Sequence, residues 1–110
     1  MAKPTYIAEF EELVLLAILK LRSNAYGASI HEALEDADRA VSIGALYTTL
    51  SRLEEKGLVT SWMGESTNQR GGRAKKYFKV LATGARALHA SESARRKLSP
   101  RRTFAFGGAK

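Results

Sequence analysis

The 110-residue chain carries 18 Lys and Arg against 11 Asp and Glu, no Cys, two His and 45% hydrophobic residues, for a formal charge of +7. That length suits one domain with at most a tail, and that apolar share supports a small core rather than global disorder. Without Cys there are no disulfides, thiolate metal sites or cysteine nucleophiles, and the longest apolar run, residues 13–19, is far too short to span a bilayer.

The charge is unevenly divided. Residues 1–69 hold six cations and ten acids, whereas residues 70–110 hold twelve cations and Glu92 alone. So concentrated an excess attracts polyanions, of which nucleic acid and an anionic membrane surface are the candidates. Residues 1–6 lack the apolar stretch and cleavage site of a secretory signal, which fits a cytoplasmic protein.

In chain order, residues 8–22 place Phe10, Leu13, Val14, Ala17, Ile18 and Leu21 at the spacing that lines one face of a helix. Leu15, Leu16 and Leu19 of the same helix form a second stripe. Either the chain covers that stripe itself or a second copy does. A turn at residues 23–27 leads to a second helix ending near Ala37, with Ile30, Ala33 and Leu34 inward. Ser42 is a good N-cap for a third helix reaching Lys56, with Ile43, Leu46, Tyr47, Leu50 and Leu53 inward and Gly57 as its left-handed stop. The opposite face centres on Ala45, Thr48, Arg52 and Glu55, flanked by Gly44, Thr49 and Lys56. Small, polar or basic residues of this kind let a helix approach another macromolecule closely, where a solvated face would carry long Glu and Lys pairs.

Residues 58–63 and 76–80 are strand candidates, and Trp62 reads as core packing. Between them runs a long, glycine-rich, basic hairpin tip, longer than hairpins usually carry. A last helix over residues 83–98 has a thin seam of Ala85, Leu88, Ala94 and Leu98, with Gly84 weakening its start, and Pro100 opens a flexible basic tail.

Three helices, a basic-tipped hairpin and a further helix make a mainly α fold with a small β-hairpin, the order of a winged helix-turn-helix. Residues 1–82 form the DNA-binding domain, 83–98 a C-terminal dimerisation helix and 99–110 the tail. The third helix offers Arg52 as a long donor to base edges in the major groove. The hairpin offers Arg70, Arg73, Lys75 and Lys76 to phosphates.

Tyr26-Gly27, then Leu46-Tyr47-Thr48-Thr49-Leu50-Ser51-Arg52-Leu53-Glu54-Glu55-Lys56-Gly57-Leu58, then Gly72-Arg73-Ala74-Lys75-Lys76-Tyr77-Phe78 before Gly84, resemble the PadR family of bacterial transcriptional regulators. The resemblance implies a homodimeric repressor that sets its third helix and wing on double-stranded operator DNA. It also implies a C-terminal helix packed on the partner's first helix, and a Tyr47 hydroxyl within reach of a phosphate. DNA contacts are expected from Ser42, Gly44, Ala45, Tyr47, Thr48, Thr49 and Arg52 of the helix and from Arg70, Gly72, Arg73, Lys75 and Lys76 of the wing. The dimer interface is expected to use Leu15, Leu16, Leu19, Leu88 and Leu98. Where the family has a capping Thr after the second strand this chain has Leu81, which points to a helix start at Thr83.

No G-x-S-x-G, phosphate loop or paired acids appear, and His31 and His89 stand apart from any ligand pattern. The reading is therefore a non-enzyme with no catalytic residue, metal or cofactor, no membrane partner and an open question about a small-molecule inducer. The other class consistent with the sequence is a winged helix used as a protein-interaction or RNA-binding module.

Overall fold

The structure, a computed structural model, describes residues 6–64 and 74–99. The tip residues 65–73 and the tail from residue 100 lie outside them. The elements are α1 (Glu9–Leu21), a short 3-10 turn (Arg22–Asn24), α2 (Gly27–Asp36), α3 (Ile43–Glu55), β1 (Val59–Met63), β2 (Lys76–Val80) and α4 (Ala82–Leu98).

Local chemistry starts and stops these helices. Acidic Glu9, Glu11 and Glu12 occupy the first turn of α1, where they face the positive end of the helix dipole. Glu11 also accepts the Ala8 N–H at 2.8 Å. In α2, the Ser29 hydroxyl accepts the Tyr26 N–H at 3.0 Å and donates to the Asn24 carbonyl at 2.6 Å, joining the turn to the helix. The Ser42 hydroxyl accepts the Ala45 N–H at 3.1 Å, the expected cap of α3. Beyond α3, Gly57 takes φ +73°, and the Leu58 N–H returns to the Leu53 carbonyl at 3.0 Å.

β1 and β2 pair antiparallel with Val59 opposite Val80 and Trp62 opposite Tyr77. The hairpin is anchored on the turn before α2, because the Phe78 N–H donates to the Ala25 carbonyl at 2.9 Å and Tyr26 bridges Tyr77. Val14, Leu15 and Ile18 of α1, Ile30 and Leu34 of α2, Leu46, Leu50 and Leu53 of α3, and Leu58, Val59 and Phe78 close one core.

Several expectations change here. Leu15, expected at a dimer interface, is fully buried by its own chain, so it has no surface to offer a second copy. Leu16 and Leu19 remain 47% exposed. The second stripe of α1 thus divides, because α1 packs against α2, α3, β2 and α4, which together cover Leu15 but not Leu16 or Leu19. Trp62, expected in the core, is 45% exposed on the hairpin and stacks on Tyr77. α4 begins at Ala82 with Leu81 as its N-cap, not at Thr83. The Leu81 N–H donates to the Leu58 carbonyl and the Thr83 hydroxyl to the Gly57 carbonyl, so tertiary bonds take the place of a side-chain cap. Gly84 is buried against the Leu58 carbonyl, where a β-carbon would collide; the residue that weakens the helix locally lets it close on the α3–β1 turn. Along α4, Ala87 is buried, Leu88 half-buried and Leu98 exposed, while Ala85 and Ala94 face solvent. Arg95 and Ser91 bind the buried Glu12 carboxylate at 2.6 and 3.2 Å, fastening α4 to α1.

Candidate nucleic-acid interface

On α3 the buried residues are Leu46, Thr49, Leu50 and Leu53. The inward direction is turned by about 45° from the one that spacing alone predicts, at ~100° per residue. Thr49, expected on the DNA face, is 6% exposed and is withdrawn from it. Ile43, expected inward, is about half exposed, and Tyr47, expected at the edge of the inward face and half in the core, is half exposed as well. The outward face is therefore Gly44, Thr48, Ser51 and Glu55, with Tyr47 and Arg52 on its flanks and Ala45 exposed at its start. Ser51 escaped the sequence reading; it sits three residues after Thr48 and seven after Gly44, on the same ridge.

The surface is small at the N-terminal end of the helix and equipped with donors further along. A β-carbon built on Gly44 meets no atom of the chain within 4 Å, so nothing internal requires glycine at this exposed helical position. Thr48 spends its hydroxyl hydrogen on the Gly44 carbonyl at 3.0 Å, which leaves its methyl and lone pairs outward. Ser42 uses its hydroxyl as the cap acceptor. Arg52 is exposed and forms no ion pair among the described residues.

Gly27 has a different reason. A β-carbon there would run into the Tyr47 phenol, so the Tyr26-Gly27 pair makes room for Tyr47 over the start of α2. Beside it, Tyr26 meets Tyr77 edge-on at 5.5 Å, Trp62 stacks on Tyr77 at 6.0 Å, and the Lys75 ammonium lies 4.2 Å from the Tyr26 ring centre. These aromatic contacts brace the outer end of the paired strands on the N-terminus of α2.

The other brace is Glu54, which the sequence reading left out of the site. Its carboxylate accepts the Ser61 hydroxyl of β1 at 2.5 Å and stands 3.8 Å from the Lys76 ammonium of β2. Lys76 is thus partly spent on holding the hairpin to the last turn of α3, whereas Lys75 is exposed at the hairpin's outer end. Arg70, Gly72 and Arg73 lie outside the described residues.

A second carboxylate sets the C-terminal end of α3 against α1. Lys56 bridges both oxygens of the buried Glu11 at 2.8 and 3.0 Å. Burial pushes the Glu11 carboxyl up, but the Lys56 ammonium, the Ala8 N–H and the charge of Arg52 outweigh it and hold the group below the ordinary carboxylate range.

Residues 15–90 match the profile of the transcriptional regulator PadR-like family. Among solved structures, a PadR-like transcription factor from Bacteroides fragilis aligns with a TM-score of 0.67 and 30% identity, over 81% of this chain and 82% of that one. A PadR family transcriptional regulator from Eggerthella lenta aligns with a TM-score of 0.65 and 28% identity, over 82% and 79% of the two chains. A PadR family regulator from Clostridium difficile shares the fold at 22% identity, with a TM-score of 0.67 over 81% of this chain and 90% of that one. No functionally curated protein matches the chain.

Proposed function

Since the chain belongs to the PadR-like family of transcriptional regulators, we propose that it is a homodimeric repressor that binds an inverted-repeat operator, with α3 in the major groove and the hairpin on the flanking phosphates. The observation that carries the reading is the outward face of α3. It is open at Gly44, polar at Thr48 and Ser51, and bordered by the unpaired Arg52, with Lys75 on the hairpin braced beside it. An arginine in that position suits a guanine edge, and the lysine suits the backbone. No helix among the described residues is long and apolar enough to cross a membrane.

Dimerisation draws support from the apolar surface left over. Leu16 and Leu19 on α1 and Leu98 at the end of α4 are large and exposed, and a shallow groove beside Leu16 runs between α1 and α2. Pairing these surfaces about a two-fold axis buries them and spaces two copies of α3 by about one DNA turn, ~34 Å. Leu88 contributes from its half-buried place on α4. The test is selection of bound fragments from genomic DNA, followed by titration of the selected duplex against salt. An inverted repeat and a log–log slope of about −0.9 per phosphate neutralised are expected. Preference for a structured RNA, or an affinity indifferent to salt, would refute the reading.

A further inference from the structure

Among the described residues of α4, none past Leu88 is buried. Ala90 and Ala94 are too short to close on the N-terminal segment, and a groove of about 220 Å³ separates them from Tyr6 and Ile7. Apolar packing therefore fixes where α4 starts, at Gly84 and Ala87, but not the direction in which it leaves the body. That direction rests on one acid of α1. The buried Glu12 carboxylate accepts from the Ser91 hydroxyl at 3.2 Å and from the Arg95 guanidinium at 2.6 Å, so two successive turns of α4 are held by charge-assisted bonds.

The neighbouring acids of the same turn hold the recognition helix. Glu11 binds Lys56, the residue after α3, and Glu9 meets Arg39, three residues before the Ser42 cap. The first turn of α1 thus ties both flanks of α3 and the outer half of α4 to one short segment. Lever arithmetic shows what the last tie controls. At ~1.5 Å per residue, Leu98 lies about 15 Å beyond Leu88. A tilt of roughly 10° at Leu88 would carry Leu98 about 2.6 Å, close to the ~3.4 Å rise of one base pair.

We propose that Glu12 is a positioning residue that sets the separation of the two recognition helices in the dimer, by fixing the angle at which α4 leaves the body that carries α3. The inference rests on the dimeric DNA-binding reading and adds to it the side chain that makes the protein selective for the spacing between half-sites.

The chain has no cysteine, so Ser51→Cys puts a single spin label on the outward face of each α3. Pulsed electron resonance then measures the distance between the two labels in the DNA-free dimer. A narrow distribution near one DNA turn, about 34 Å, is expected. Glu12→Gln should broaden or shift it by about 3 Å, the scale of the tilt above, while sedimentation still finds folded dimers. The second readout is binding of unlabelled protein to inverted repeats whose spacer is lengthened or shortened by one base pair. The parent should lose about tenfold on each altered spacer, the usual size of one wrong base pair, and Glu12→Gln should lose clearly less. Arg95→Gln, whose side chain is mostly exposed, should reproduce Glu12→Gln, and the double variant should add nothing further. Arg96→Gln, paired only with the exposed Glu92 of its own helix, should behave as the parent. Either readout unmoved in Glu12→Gln, or in Arg95→Gln should the first variant not fold, would overturn the proposal and leave the dimeric reading standing. Loss of the dimer in Glu12→Gln would overturn it as well, because Glu12 would then hold the interface together rather than set its angle. A parent that is monomeric, or indifferent to the spacer, would fail the dimeric reading itself and the proposal with it.

Discussion

Replacing Gly44 with alanine separates what the chain needs from what its partner needs. The position is exposed in the first turn of α3, and an added β-carbon touches nothing within the molecule. Alanine is the better helix former, so folding stability should rise by about 0.5–1 kcal/mol, or roughly 2–8 °C in melting temperature for a domain of this size. At a tightly packed protein–DNA contact the same methyl group has no room, and overpacking costs about 1–3 kcal/mol, a loss of roughly 5- to 150-fold in affinity. Thermal melting of the free protein and fluorescence anisotropy with a labelled operator duplex give the two halves of the result. Gly57→Ala is the comparison. At φ +73° it should destabilise by about 1 kcal/mol while leaving the affinity of the folded protein unchanged. A lower melting temperature for Gly44→Ala would mean the chain uses that space itself; a higher one with unaltered affinity would mean the first turn of α3 stays clear of the duplex.

Arg52→Ala should cost about 1–3 kcal/mol at one base position and relax preference there, whereas Lys75→Ala should weaken all sequences alike and reduce the salt slope by about 0.9; binding to a panel of mutated operators distinguishes the two. Leu16→Glu should give folded monomers with weak operator affinity, and sedimentation that still finds dimers would remove this part of α1 from the interface. The Glu11–Lys56 pair predicts a specific acid sensitivity. Because the Glu11 carboxyl is depressed in the folded state, its stabilisation is present above the ordinary carboxylate value of 4.5 and is lost as pH falls through the lower folded value. Glu11→Gln should therefore cost about 1–3 kcal/mol at pH 7 by urea unfolding and progressively less below pH 4.5; a cost that stays constant with pH would exclude the ion pair as its source.

Much of the architecture was legible because it rests on local rules. The stripe on α1, the Ser42 cap, the Gly57 stop and the β-branched and aromatic runs on either side of a glycine-rich segment each act within a few residues. The structure keeps all of them within one or two positions. The basic half and the run from Leu46 to Leu58 pointed to the family for the same reason. Arg52, Thr48 and Lys75 were correctly expected outside because polar side chains at those spacings have no competing interior partner.

What failed were particular questions of which neighbour covers which face. Spacing ranks Thr49 as polar and Ile43 and Tyr47 as apolar, but the packing of α3 on α1, α2 and β1 turns the helix so that a β-branched threonine fills the core and a tyrosine lies over Gly27. Nothing in the spacing singles out Glu54 or Glu11; only tertiary structure brings Ser61, Lys76 and Lys56 to them. Trp62 and Leu15 exchange their expected places for a related reason. Hydrophobicity says that a side chain seeks cover, and only the arrangement of helices and hairpin decides whether the chain itself supplies that cover. Periodicity therefore determined the elements and the chemistry they carry, while their mutual rotation, a property of packed surfaces far apart in sequence, decided which residues remain free to meet a partner.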